Sequence, residues 1–344
     1  MEQHKRRVRY SGKYPKKFEE KYKEHNPEKY ADTIAHVIEK GSTPAGMHIS
    51  IMVNEILDVL DIKPNERGLD CTFGYGGHTT SFLEKLSGTG HVTSLDIDLE
   101  ESKKTLARLR AKGYGEDVLT LVNTNFANVD EVAKTQGKFD FMLADLGVSS
   151  MQIDNPDRGF SYKVEGPLDL RMDRSKGVSA AQRLKELEVD ELAGMLYENS
   201  DEPYSEEIAK AIVKHIKWGK PLETTTDLKN LIADTLSFLP KDEQAKTINK
   251  TCARVFQAIR IDINHEYESL YQLLSKLPDI MNPGGRIVFL TFHSGEDRLV
   301  KKMFKEYKKQ GIFTEISEDV IRPGAAECNT NPRAKSTKLR WAKM

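Results

Sequence analysis

Short apolar runs alternate along this chain with stretches that place an apolar residue every three or four positions. The first pattern is that of buried strands and the second that of amphipathic helices. From His48 to Leu60 the residues Ile51, Met52, Ile56, Leu57 and Leu60 fall at helical spacing, and Lys63-Pro64-Asn65 ends the run. Strands are then predicted at Arg67–Cys71, His91–Leu95, Val118–Asn123 and Phe139–Ala144, with helical patterns at Thr80–Leu86 and Glu100–Arg110. After Asp145 the alternation stops. From about 151 to 250 the pattern is loop-rich and then wholly helical, with Ile208, Ile212 and Ile216 on one face. It resumes with a helix predicted over Thr251–Leu277, a turn at Pro283-Gly284-Gly285 and a fifth strand at Arg286–Thr291. A helix at Gly295–Gln310 and strands at Phe313–Ser317 and Thr337–Ala342 close the chain.

Alternating β and α elements build a mostly parallel sheet, and a long strand-free stretch between two of its strands reads as an inserted helical domain. The expected class is therefore α/β. Residues 47–150 and 251–344 form the sheet domain, 151–250 the helical insertion, and 1–46 an N-terminal appendage with one helix at Pro27–Lys40 and a linker from Gly41 to Gly46. The closing antiparallel pair matches the seven-stranded methyltransferase layout. No internal repeat is evident.

At 344 residues the chain can bury a full α/β core and carry a second domain. With 31% charged residues and a net charge of -1, it reads as soluble and cytoplasmic, with no membrane-spanning run and no signal-peptide pattern. The acids Glu19, Glu20 and Glu24 speak against a mitochondrial presequence. Cys71, Cys252 and Cys328 lack metal-ligand spacing and read as reduced thiols, so no metal is expected. Neutrality hides two basic ends. Lys5, Arg6, Arg7, Arg9, Lys13, Lys16 and Lys17 face one acid, Glu2, and Arg333, Lys335, Lys338, Arg340 and Lys343 follow the last acid, Glu327. Such ends suit phosphate; a solvated tail accounts for either one equally well.

The candidate chemistry centres on Leu69-Asp70-Cys71-Thr72-Phe73-Gly74-Tyr75-Gly76-Gly77-His78, where a strand ends in an acid, a glycine-rich turn and a helix start. Sheets of this type hold nucleotide-like cofactors there. Asp96 ends the second strand about 20 residues further on, where a carboxylate accepts the hydroxyls of a ribose. Nicotinamide dehydrogenases and S-adenosylmethionine methyltransferases share that logic. The missing third spaced glycine and the acid Asp70 favour methyl transfer. The fourth strand ends in Asp145-Leu146-Gly147-Val148-Ser149-Ser150-Met151-Gln152, which either faces the ligands or merely caps a helix. The fifth ends in Phe292-His293-Ser294-Gly295-Glu296-Asp297-Arg298; Ser294 with Asp297 reads as a capping box, leaving His293 nearer the site. Arg254, Gln257 and Arg260 share one helix face, either a phosphate-binding or a solvated one.

Read in order, D-C-T-F-G-Y-G-G-H, L-A-D-L-G-V-S-S-M-Q-I-D, R-G-F-S-Y, G-P-L-D-L-R-M-D, R-V-F-Q-A-I-R-I, F-H-S-G-E-D-R and N-P-R-A-K-S resemble one family. It is the bacterial small-subunit ribosomal RNA cytosine-N4 methyltransferase family, RsmH or MraW, and the likeness runs from about His48 to Arg340. The resemblance implies a class I S-adenosylmethionine methyltransferase, with a Rossmann-like seven-stranded sheet, that methylates a cytidine amine in the decoding region of 16S rRNA within the small ribosomal subunit. It implies cofactor contacts at Gly76, Gly77, His78, Asp96, Phe126, Asp145 and Gln152, and RNA recognition by the insertion. Asp145 is the candidate near the reacting amine and His293 a second catalytic candidate. Arg254, Arg260 and Arg333 are candidates for RNA contact. A homo-oligomer stays open.

The chain departs from the family pattern in several places: His48-Ile49-Ser50-Ile51 for His-x-Pro-Val, Met151 for proline, Gly295 for leucine, acidic Glu206 and Glu207 on a usually basic helix, and the basic appendage. None removes a cofactor contact; all bear on RNA docking. The same chemistry on another RNA cytidine or a small-molecule amine is one alternative, and a non-catalytic ribosome-assembly factor is another.

Overall fold

The fold is described from a computed structural model over residues 50–344. The basic N-terminal segment, the helix expected at Pro27–Lys40, the linker and His48 lie outside the described residues.

The chain runs through α1 (Val53–Leu60), β1 (Arg67–Asp70), α2 (Gly77–Leu86), β2 (His91–Asp96), α3 (Leu99–Ala111), β3 (Leu119–Asn123), α4 (Val129–Gln136) and β4 (Phe139–Asp145). A short α5 (Ser150–Asp154) leads into α6 (Ala180–Glu186), α7 (Val189–Ser200), α8 (Ser205–Lys217), α9 (Thr225–Thr235) and α10 (Lys241–Asn264). The last part comprises α11 (Glu266–Ile280), β5 (Met281–Thr291), α12 (Ser294–Lys309), β6 (Glu315–Ile316), α13 (Ala325–Thr330) and β7 (Lys338–Lys343).

The strands form one seven-stranded sheet in the order β3-β2-β1-β4-β5-β7-β6. β1 to β5 are mutually parallel, and β7 runs antiparallel to both its neighbours. Period-two alternation explains the near-continuous apolar strands, because both faces are covered. Met142, Ala144, Ile287 and Phe289 point to one face, where Val129 of α4, Leu270 and Leu274 of α11 and Phe304 of α12 pack. Phe141, Leu143, Val288 and Leu290 point to the other, against Ile56 and Leu60 of α1, Phe82 and Leu83 of α2 and Leu109 of α3.

The helices after β4 have a core of their own, with Leu184, Leu192, Leu196, Ile208, Ile212, Leu228, Ile232, Val255, Phe256 and Ile259 buried together. Ile208 and Ile212 are buried on α8, and Ile216 packs partly against the same cluster. Residue 250, the expected end of the insertion, falls inside α10, whose second half contributes to this core.

The strand expected at Phe313–Ser317 shortens to Glu315–Ile316, and two further elements differ from expectation. The helix expected at Thr251–Leu277 is two helices, α10 and α11, separated at His265, whose backbone is left-handed (φ 50°). β5 starts earlier than expected: Phe139 pairs with Met281 and Phe141 with Arg286, so the Pro283-Gly284-Gly285 turn is taken up as a bulge within the strand.

Candidate active site

The carboxyl ends of β1, β2 and β4 carry one acid each, Asp70, Asp96 and Asp145, at the edge where parallel α/β sheets bind ligands. The turn after β1 needs its glycines for two reasons. Gly74 and Gly76 have φ of 45° and 67°, and a Cβ on Gly76 would stand 3.0 Å from both Leu109 Cδ1 and Thr105 Cγ2. Gly77 opens α2, which has no side-chain cap, so N–H groups of its first turn lack an intrahelical partner. Asp70 is buried beneath: its carboxylate accepts from Thr72 N at 3.1 Å and Thr79 Oγ1 at 2.6 Å. Burial pushes its pKa up, and the Thr79 hydroxyl offsets part of that rise.

Asp96 ties the turn to its own strand. One carboxylate oxygen accepts from Gly74 N at 2.8 Å and the other from Asp98 N at 2.8 Å. Burial pushes its pKa up to about 6, against the pull of those two bonds. A carboxylate has about four acceptor sites, so each oxygen keeps one for a vicinal diol. Asn123 at the end of β3 donates to the Asp96 carbonyl at 2.7 Å. Phe126 opens a short 3-10 turn capped by Asn125, which accepts from Ala127 N at 2.8 Å. Its ring packs partly against the core on the α4 side.

At the end of β4, Asp145 N donates to Thr72 Oγ1 at 2.8 Å, so the strand and the glycine turn hold one another. Asp145 Oδ2 lies 3.5 Å from His78 Nε2, at the long end of the range and without hydrogen-bond geometry. The other oxygen, Oδ1, and both ring nitrogens of buried His78 have no hydrogen-bond partner among the described residues. Buried polar atoms are nearly always paired; three atoms here, one on Asp145 and two on His78, lack partners beside the glycine turn.

Gln152 behaves differently from the other expected cofactor contacts. Its Oε1 accepts from Ser149 N at 2.9 Å, its backbone N donates to Ser149 Oγ at 3.2 Å, and its Nε2 donates to Asp98 Oδ2 at 3.2 Å. The amide is occupied at both ends, in a capping box and a brace. Sequence reasoning missed the partner of that brace, although R-G-F-S-Y contains it. Arg158 donates to Asp98 Oδ2 at 2.7 Å and to the Met172 carbonyl at 2.7 Å, pinning the start of the helical segment to the β2 end of the sheet.

His293 stands next to β4's neighbour, at the N-cap of α12, its Nε2 3.1 Å from Glu296 Oε1. Glu296 also accepts from Phe292 N at 2.8 Å. Burial would raise its pKa, but His293, the Phe292 amide and the Arg260 charge hold it below the usual value. Ligand atoms of Glu266, His293 and Glu296 lie within 4.8 Å of one another, a spacing that a cation could use. Glu266, however, already takes Arg260 bidentately at 2.7 and 2.9 Å, so the positive charge is in place.

The expected Ser294–Asp297 capping box does not form. α12 has no side-chain cap, Ser294 Oγ donates to Asp201 at 3.3 Å, and Asp297 pairs with Arg340 at 2.6 Å and Lys338 at 3.1 Å. The glycine at 295 has a local cause: a Cβ there would stand 1.8 Å from the Tyr267 hydroxyl. Burial, with Glu296 next, pushes the Tyr267 pKa up to about 12.

The basic candidates separate. Arg260 and Gln257 do not share an open phosphate face with Arg254. Arg260 is mostly buried in its pair with Glu266, and Gln257 donates to the Asn199 carbonyl at 3.2 Å. Arg254 is 40% exposed, 3.8 Å from the fully buried carboxylate of Glu202. Arg333 bonds Asp154 at 2.6 Å, joining the C-terminal 3-10 turn to α5. Glu206 and Glu207 sit in the first turn of α8, where the helix dipole favours acids, and Glu206 pairs with Lys210 at 3.1 Å.

Five parallel strands with one antiparallel strand slotted beside the last, acids at the carboxyl edge and a glycine turn after β1 define the class I S-adenosylmethionine-dependent methyltransferases. Comparison with known proteins narrows this further. The model of the MraW methylase family matches residues 45–344. The chain is 63% identical over 340 residues to ribosomal RNA small subunit methyltransferase H 1 of Agathobacter rectalis, covering 99% of this chain and 97% of the relative. It is 55% identical over 341 residues to ribosomal RNA small subunit methyltransferase H 2 of Alkaliphilus metalliredigens, covering 99% and 98%. Against ribosomal RNA small subunit methyltransferase H of Mesomycoplasma hyopneumoniae it is 38% identical over 304 residues, covering 86% and 98%. The chain belongs to the MraW methylase family.

Proposed function

We propose that this protein transfers the methyl group of S-adenosylmethionine to the N4 amine of a cytidine in the decoding region of small-subunit (16S) ribosomal RNA, with the small ribosomal subunit as its partner. The observation that carries the chemistry is Asp145, whose buried Oδ1 is an acceptor without a donor, beside the cofactor turn. The residues present fit the cofactor: the Gly76 turn leaves no room for a side chain, the first turn of α2 offers N–H groups, and Asp96 keeps two acceptor sites for the ribose. Phe126 would supply an apolar ring for the adenine. His78 contributes through Asp145, and Gln152 supports the site through Asp98.

When bound, the cofactor supplies an electrophilic methyl on a positively charged sulfur. The difficulty lies with the acceptor, because the N4 lone pair is shared with the cytosine ring. Asp145 Oδ1 accepts an N4 hydrogen and so localises that lone pair; in-line placement contributes the rest. When N4 gains the methyl group, the proton it loses would pass to the Asp145 carboxylate along the N4–Asp145 hydrogen bond. His78 Nε2, 3.5 Å from the other Asp145 oxygen, steadies the carboxylate. His293, already engaged with Glu296, orients the neighbouring wall.

Reaching N4 requires an unstacked base. The helical segment is the part that reads the RNA around it. Supporting this, Trp218 at the end of α8 is 67% exposed, with Lys214 Nζ 4.5 Å from its ring centroid, a pair suited to a stacked base and its phosphate. The test is methylation of small subunits from cells lacking this gene, followed by mass mapping of the rRNA. One new N4-methylcytidine in the decoding region is expected. Methyl transfer to free nucleosides, or to another nucleotide, would overturn the target; absence of cofactor binding would overturn the chemistry.

A further inference from the structure

We infer that α12 is the track along which the substrate RNA strand leaves the active site, held by phosphate contacts to a ridge of lysines. This rests on the reading of RNA as substrate. α12 begins beside His293 at the catalytic edge of the sheet and runs away from it to Lys309. One side is buried: Val300, Phe304 and Tyr307 pack on the sheet. The opposite side exposes Arg298, Lys301, Lys302, Lys305, Lys308 and Lys309, with Glu306 as its one acid. Their spacing of three and four residues keeps these cations on one face, and from 298 to 309 that face extends about 16 Å at 1.5 Å per residue.

Exposed cations on a helix usually find a carboxylate three or four residues away. Here Lys302 and Glu306 have that spacing, yet no carboxylate lies within 4 Å of Lys301, Lys302, Lys305 or Lys309 among the described residues. Arg298, at the site end, is 3.6 Å from Asp201, and Lys308 donates to the Thr314 carbonyl. Like charges held this close repel one another unless an anion lies between them.

The ridge also forms one wall of a groove of about 570 Å³, lined by Lys301, Lys305 and Lys308 on α12 and by Glu315, Glu318 and Arg340 across from them. Arg340 is committed to Asp297 and Glu315 lies 3.7 Å from Lys343; Glu318 is the one lining acid outside an ion pair among the described residues, against Lys301 and Lys305 on the facing wall, so the uncommitted charge of the groove is net positive. Of the two rings that line the groove, Phe304 is buried and Trp341 is partly buried against the cluster on the opposite face of the sheet, which leaves little ring surface for a base. It suits phosphates rather than bases, which is sequence-independent holding. The acidic first turn of α8 agrees with this division of labour: the cations absent there stand on α12.

The test replaces Lys301, Lys302, Lys305 and Lys309 with alanine in the full chain and measures binding to small subunits across salt concentration. Cofactor binding should be unchanged, which checks the fold. The slope of log affinity against log salt should fall by about 2 to 3, at roughly 0.7 per lost phosphate contact on single strands. Replacing the same lysines by arginine should keep the slope. Photo-crosslinking should join α12 peptides to rRNA nucleotides outside the target base. An unchanged slope in a variant that binds cofactor, or α12 crosslinks only to ribosomal protein, would overturn the track. Wild-type protein that shows no methyl transfer to small subunits would instead overturn the reading of the substrate.

Discussion

Two acid–histidine clusters stand on the carboxyl edge of the same sheet, and they differ in how their acids are held. Around β1 and β4, Asp70, His78 and Asp145 are packed together with no cation from Lys or Arg within salt-bridge distance among the described residues, and Asp145 Oδ1 and both His78 nitrogens lack hydrogen-bond partners. Around β5, Glu266, His293 and Glu296 are just as crowded, but Arg260 grips Glu266 with two bonds and the Phe292 amide takes Glu296. Both ring nitrogens of His293 also lack hydrogen-bond partners among the described residues, so the two clusters differ in how their acids are held and not in their histidines. In the first, Asp145 Oδ1 has no donor among the described residues, whereas Glu266 and Glu296 in the second are paired, and leaving a buried acceptor unpaired costs stability. Under the proposed function, the unpaired acid belongs to the chemistry and the paired acids to the wall beside it.

The comparison is most sharply tested by removing one member of each cluster. Glu266→Ala leaves a buried guanidinium without its main partner and is expected to lower stability by about 3–5 kcal/mol. Urea unfolding measures this, and methyl transfer per folded molecule should stay within about tenfold of wild type, as for a residue away from the reacting atoms. A small stability change would show that the β5 cluster is not the structural one. Asp145→Ala should do the reverse. Methyl transfer is expected to fall about a hundredfold or more, as when a positioned proton acceptor is lost, while the unfolding midpoint holds or rises because an unpaired buried acceptor is gone. Single-turnover assays on small subunits provide the readout.

Smaller effects concern Asp96, whose role is binding. Asp96→Ala should weaken S-adenosylmethionine binding by about 1.5–3 kcal/mol, the range for hydrogen bonds to a charged group. Calorimetry decides, and an unchanged affinity removes Asp96 from the site. The smallest effect is on pH. The Asp96 pKa is raised from 3.8 to about 6, so its contribution to the stability of the free protein is fully present below 3.8 and is lost as pH rises through 6. Hydroxyl donors prefer the ionised form, so cofactor affinity should rise with pH up to about 6 and then level off. The drop below 6 is at most about tenfold per pH unit, and Asp96→Asn should abolish it. A flat profile in the wild type would mean that the ribose does not meet this carboxylate.

Much of the molecule could be read from sequence alone. Strand and helix positions follow from apolar period, which is a local property, and β1 to β4 fall within a residue or so of their expected bounds. The glycine turn and Asp96 were equally visible, because a tight turn and an acid at a fixed distance after it are also local chemistry. Tertiary structure decided which polar partner each side chain finds. Arg260 and Glu266, six residues apart, would lie on different faces of a continuous helix; the left-handed His265 between them brings the pair together, and no glycine or proline marks the break. Gln152 turns to Asp98, 54 residues away, and Asp297 to Arg340, 43 residues on, in place of the nearby cap its spacing suggests. Gly295 yields its space to Tyr267 from another helix. Periodicity tells a side chain which face to take, but the partner waiting on that face is supplied by the packing of distant elements.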